Sequence, residues 1–94
     1  MNYELMFILK PEVSEEESRA EVEKIKDFVK AEKGEVVKEE AWGKRVLAYP
    51  IKHFSEGFYH LLNFKSTPAK VKELEKKLNL DDSVLRSLIM RTAG

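Results

Sequence analysis

Two helix starts are written plainly into this chain, and their positions constrain everything between them. Ser14 is followed three residues later by Glu17, a capping box in which each side chain satisfies a free backbone N–H. The acidic run Glu15–Glu17 suits the positive end of the helix dipole. The second start is Thr67-Pro68, with the threonine as N-cap and the proline at the first helical position. Helices opening at these two points leave three stretches, before, between and after them, to be extended.

Those stretches carry strand signals. Tyr3 to Lys10 alternates, with Tyr3, Leu5, Phe7 and Leu9 on one face and Met6 and Ile8 on the other, until Pro11 ends it. The first helix has an apolar stripe of Val22, Ile25, Phe28 and Val29, and Gly34 is expected as its C′ residue. An extended segment runs from Glu35 to about Ile51. A hairpin loop is expected over Lys52–Gly57, then a strand from Phe58 to Lys65. The second helix carries Val71, Leu74 and Leu78, Asp81-Asp82 turns the chain, and Val84 to Thr92 forms the last strand.

The order is β-α-β-β-α-β. It implies an α+β, ferredoxin-like fold, a four-stranded antiparallel sheet with two helices on one face, as a single domain over residues 1–94. In that topology the first and third strands are central and the second and fourth are edges. The stretch AWGKRVLAYPI, Ala41 to Ile51, then falls on an edge. There Pro50 is tolerated, Gly43 can mark a bulge, and the cations Lys44 and Arg45 deter edge-to-edge association.

Net charge is zero, but it is unevenly distributed. Residues 1–40 hold 12 acidic and 7 basic side chains, and residues 41–94 hold 5 acidic and 10 basic. A fold that separates the halves could turn one basic face to phosphate. The chain has no cysteine, hence no disulfide framework and no thiolate nucleophile, which favours a reducing, cytoplasmic setting. The apolar run Leu5–Leu9 is too short to span a bilayer, so no membrane association is expected.

Catalytic chemistry finds no foothold. His53 and His60 stand at no metal-ligand spacing, and no phosphate-binding glycine loop or nucleophile elbow occurs. No enzyme activity, metal, cofactor or small-molecule substrate is expected. RNA-recognition motifs share the element order, but their signature K/R-G-F/Y-G/A-F-V-x-F/Y fits poorly to EGFYHLLNF, Glu56 to Phe64. The charge at Glu56 is wrong, Tyr59 replaces a small residue and Asn63 the last aromatic.

The sheet is apolar on both faces. Phe58, Leu62 and Phe64 stand opposite Tyr59 and Leu61, and Val84, Leu88 and Met90 opposite Leu85 and Ile89. Only one face can lie under the helices. The other is left for a protein partner, with RNA phosphate beside it.

Trp42-Gly43-Lys44-Arg45 followed by Leu47-Ala48-Tyr49-Pro50-Ile51 closely resembles the W-G-[KR]-R-x-L-A-Y-P-I signature of protein six of the bacterial small ribosomal subunit. Tyr3-Glu4 and Gly57 with Tyr59 match further family positions, and the likeness covers essentially the whole chain. The resemblance implies a structural protein that binds small-subunit ribosomal RNA as a heterodimer with protein eighteen of the same subunit. It makes Lys44 and Arg45 the leading candidates for phosphate contact, followed by Arg86 and Arg91. It assigns Trp42, Leu47, Tyr49, Pro50 and Ile51 to packing or to the partner interface. Many members continue into a charged tail, whereas this sequence stops at Gly94, which leaves the contacts made by such a tail open. The competing reading is a ferredoxin-like regulatory or metabolite-binding domain that dimerises through its sheet face.

Overall fold

The computed structural model describes residues 1–92, with backbone alone at Glu32; Gly94, where the sequence ends, lies outside the described residues. The elements are β1 (Asn2–Leu9), α1 (Glu15–Lys30), a 3-10 turn (Ala31–Lys33), β2 (Glu35–Ile51), β3 (Phe54–Lys65), α2 (Pro68–Leu80) and β4 (Val84–Thr92). The strands form one sheet in the order β2-β3-β1-β4, with every neighbouring pair antiparallel. This is the expected ferredoxin-like topology, with β1 and β3 central.

Both helix starts form as their sequences dictate. Glu17 N donates to Ser14 Oγ at 3.1 Å, and Ser14 N donates to Glu17 Oε1 at 3.2 Å. At α2, Lys70 N donates to Thr67 Oγ1 at 3.3 Å. Each cap satisfies donors that would otherwise lack partners in the first helical turn.

The helices lie on the face carrying Tyr3, Leu5, Phe7 and Leu9. These residues join Leu62 and Phe64 of β3, Ile25 and Val29 of α1, and Val71, Leu74 and Leu78 of α2 in the main core. Full burial of one such side chain contributes about 1.5–3 kcal/mol, so this layer carries most of the fold's stability.

Three local expectations are corrected. The hairpin loop is not Lys52–Gly57: β3 begins at Phe54, and Lys52 and His53 alone make the turn, with φ of 50° and 72°. Two consecutive left-handed residues give a tight turn whose twist matches the strands it joins. The helix exit is also different. Gly34 has φ −71° and is not left-handed; Lys33, at φ 69°, takes that conformation as the last residue of the 3-10 turn.

The third correction concerns β4. Leu9 pairs with Val84 but Ile8 pairs with Arg86, so Leu85 is an extra residue in a bulge. Alternation reverses across it. Val84 and Ile89 face the helices, whereas Leu85 joins Ile8 and Leu47 in a second, smaller cluster on the opposite face. Leu88 and Met90, opposite Met6 and Glu4, lie on that same open face.

Candidate nucleic-acid and protein interface

Bulges in both edge strands shape the open face. In β2, Ala41 pairs with His60 and Gly43 with Tyr59, leaving Trp42 as the extra residue. Gly43 has φ +80°, a conformation that glycine alone adopts without strain. The inserted residue resets the alternation of side chains beyond it. Lys44 falls opposite Phe58 on the helix side, and Arg45 opposite Gly57 on the open side. The bulge at Leu85 does the same for β4, placing Arg86 opposite Ile8 on the open side. The bulge at Trp42 in β2 and the one at Leu85 in β4 are each followed by an arginine on the same face.

Each cation is held differently. The Arg45 guanidinium lies 5.9 Å from the Trp42 ring centroid, and its Nε donates to Trp42 O at 3.2 Å. Arg86 donates from Nη1 to the Tyr49 hydroxyl at 2.5 Å. Lys44 sits 5.6 Å from the Phe58 ring centroid, across the sheet from Arg45. Arg91 is exposed near the far end of β4, opposite Tyr3. The structure thus brings Arg45 and Arg86 to one face, and separates Lys44 and Arg91 from them.

The candidate interface residues divide in the same way. Between Val46, opposite Glu56, and Ile51, opposite Phe54, the four residues Leu47–Pro50 stand against Ser55 alone. This excess of chain folds back over the open face. Leu47 is 7% exposed and packs with Ile8 and Leu85, and Ile51 packs half-buried at the edge of that cluster. Trp42 and Tyr49 remain exposed, at 43% and 57%, and Pro50 is exposed beside them. Arg86, Tyr49 and Tyr59 line a shallow depression of about 90 Å³ with Met6 and Leu47 at its floor.

Gly57 makes the close approach of these strands possible. A Cβ there would lie 2.4 Å from Ile8 Cγ2 and 3.0 Å from Leu9 O. Beyond the depression the face stays apolar, with Leu88 and Met90 both nearly half exposed and Met6 and Leu61 partly so. Ion pairing between Lys38 and Glu40 (3.8 Å) occupies its other end.

Sequence reasoning missed Lys10. It continues the Met6–Ile8 alternation, its N–H donates to Ser83 O at 3.0 Å, and its ammonium lies 5.9 Å from the Phe54 ring centroid. Parity with Ile8 would have placed it on the open face. The charge segregation read along the chain does not become one basic face, because Lys70, Lys72, Lys76 and Lys77 lie on α2.

Among the described residues, the two groups with displaced proton affinities both sit on the helix side. Lys26 is held above its ordinary value by hydrogen bonds to Glu39 (2.7 Å) and Glu23 (3.2 Å). Burial pushes His60 below the usual histidine value, the nearby Glu39 charge opposing it; His60 Nε2 lies 3.3 Å from Ser18 Oγ. No cluster of three or more His, Asp or Glu able to hold a metal occurs among the described residues. No helix among them is long and apolar enough to cross a membrane.

Residues 2–91 match the family model described as Ribosomal protein S6. The chain is 45% identical over 91 residues to small ribosomal subunit protein bS6 of Caldanaerobacter subterraneus, covering 97% of this chain and 96% of the relative. The bS6 of Desulforamulus reducens is 46% identical over 90 residues, covering 96% and 95%. The crystal structure of 30S ribosomal protein S6 from Thermotoga maritima superposes with a TM-score of 0.91 at 36% identity, covering 97% of this chain and 86% of that one.

Proposed function

Because the chain belongs to the ribosomal protein S6 family, we propose that it binds small-subunit ribosomal RNA jointly with a basic partner, protein eighteen of the same subunit. It is a structural component of the small ribosomal subunit, in the cytoplasm, and not an enzyme. The observation that carries the proposal is the convergence of Arg45 and Arg86 on a face that also exposes the apolar side chains of Leu88 and Met90. Cations within reach of phosphate supply counterion release, and the apolar remainder suits a protein partner.

In this reading Arg45, Arg86 and Lys10 meet phosphate from the open side. Lys44 and Arg91 add contacts from the other side and the far end. Trp42, Tyr49 and Pro50 contact the partner, while Leu47 and Ile51 shape the strand segment that presents them. A chain of zero net charge making about two to four phosphate contacts has a shallow salt dependence and weak affinity alone. The basic partner then supplies most of the electrostatic attraction.

A gel-shift titration with the RNA, run with and without protein eighteen across a salt series, tests this. The expected result is weak binding alone and strong binding by the pair. Tight binding by this chain alone, with the steep salt slope of a strongly basic protein, would overturn it. A homodimer that ignores both RNA and protein eighteen would favour self-association through the sheet face.

A further inference from the structure

On the far side of the molecule, α1 and α2 diverge over a cleft of about 260 Å³ that the interface does not use. Its lining is mainly apolar, from Ile25, Phe28, Leu74 and Leu78. Three carboxylates, Glu21, Asp27 and Asp81, border it together with two ammonium groups, Lys24 and Lys77. Negative charge is therefore in excess by one.

Glu21 is the unusual member. It is only 9% exposed, the one buried charged side chain among the described residues. Its Oε2 lies 3.6 Å from Lys24 Nζ, but its Oε1 is buried without any hydrogen-bond partner. A buried acceptor left unpaired costs about 1–3 kcal/mol, more when charged. Lys24 is shared, since it also reaches Asp81 Oδ2 at 3.3 Å, and its side chain is 65% exposed. One exposed ammonium thus serves two carboxylates; Asp81 also accepts from Ser83 N at 2.9 Å, so Glu21 alone is left with an unpartnered oxygen.

The apolar wall already shows which charge it tolerates. Lys70 and Lys77 place their ammonium groups 4.0 and 4.9 Å from the Phe28 ring centroid, in the range of cation–π attraction.

We propose that this cleft receives an arginine side chain from a protein neighbour. The methylene stem would lie along Ile25, Leu74 and Leu78, and the guanidinium would displace the Lys24 ammonium. Its planar fork of N–H donors can offer one bond to each of the oxygens that Lys24 now shares, Glu21 Oε2 and Asp81 Oδ2. The cleft lies on the helix side, away from the surface proposed for RNA, so the two readings stand or fall separately.

The test is an NMR titration of the full chain with the blocked tripeptide Ac-Ala-Arg-Ala-NH2, compared with its citrulline analogue. Citrulline keeps the stem and shape but loses the charge. Saturable methyl shifts confined to Ile25, Leu74 and Leu78 are expected with the arginine peptide, and about tenfold weaker binding with citrulline. Glu21→Gln should weaken arginine binding about tenfold. Lys24→Ala should tighten it, because it removes the competing cation, an effect a purely structural clasp would not produce. Non-saturating shifts, equal binding of the two peptides, or no gain with Lys24→Ala would overturn the proposal.

Discussion

Arg86 and Tyr49, 37 residues apart, are joined by a hydrogen bond from the guanidinium to the phenolic oxygen. The contact ties the last strand to the far end of the second across the open face. It holds an exposed cation in place beside the apolar depression. An arginine so held loses less rotamer freedom on meeting a phosphate than a free one would.

Tyr49→Phe therefore separates positioning from packing. Removing one exposed hydroxyl should change stability by less than about 1 kcal/mol. Assembly with RNA and protein eighteen should weaken by about threefold to tenfold, with an unaltered salt slope, since no charge is lost. Arg86→Ala should instead lower the slope by about one. Equal salt slopes for the two variants would remove Arg86 from the phosphate-contacting set.

Leu88 tests the apolar part of the same face. It is 45% exposed, opposite Met6. Leu88→Asp should cost the isolated protein little stability, as surface changes usually fall within about 0.5 kcal/mol. Pull-down of protein eighteen should fall sharply, because the partner would have to bury an unpaired carboxylate. Retention of full pull-down would show that the partner docks elsewhere.

Gly57→Ala should destabilise the fold itself. The new methyl would meet Ile8 Cγ2 at 2.4 Å and Leu9 O at 3.0 Å, and backbone cannot move aside cheaply. A loss of about 1–3 kcal/mol is expected by urea denaturation. Gly43→Ala meets no neighbouring atom within 4 Å but is strained by its positive φ, so its cost, about 1 kcal/mol, should be the smaller.

His60 should make stability depend on pH. Burial lowers its proton affinity in the folded chain, with the Glu39 charge opposing, while the unfolded imidazole titrates near its ordinary value of 6.5. As pH falls below that value the unfolded chain takes up the proton first. Stability is therefore full above about pH 7, falls as pH drops, and levels off below the folded value. Urea midpoints at pH 7.5, 6.5 and 5.5 should decline for the wild type, and the decline should be smaller in His60→Gln. Identical declines would show that His60 does not carry the pH dependence.

Much of this architecture follows from short-range rules. The helix caps at Ser14 and Thr67, the alternation of β1 and the restriction of Pro50 to an edge depend on neighbours a few residues away. Those features define the element order, and the order admits few topologies. The signature from Trp42 to Ile51 was legible for the same reason, being contiguous.

Which face each side chain meets was not decided at that range. A strand's alternation is faithful only while its pairing is unbroken, and one unpaired residue reverses everything beyond it. Gly43 announced the bulge at Trp42, but nothing announced those at Val37 and Leu85, the latter turning Leu85 to pack with Ile8 and Leu47. Lys44 and Arg45 are adjacent in sequence yet lie on opposite faces, while Arg45 and Arg86 share one. The sequence by itself determined the elements, their order and the family. Tertiary packing decided where the cations point, because only the assembled sheet determines which residue each ladder leaves out.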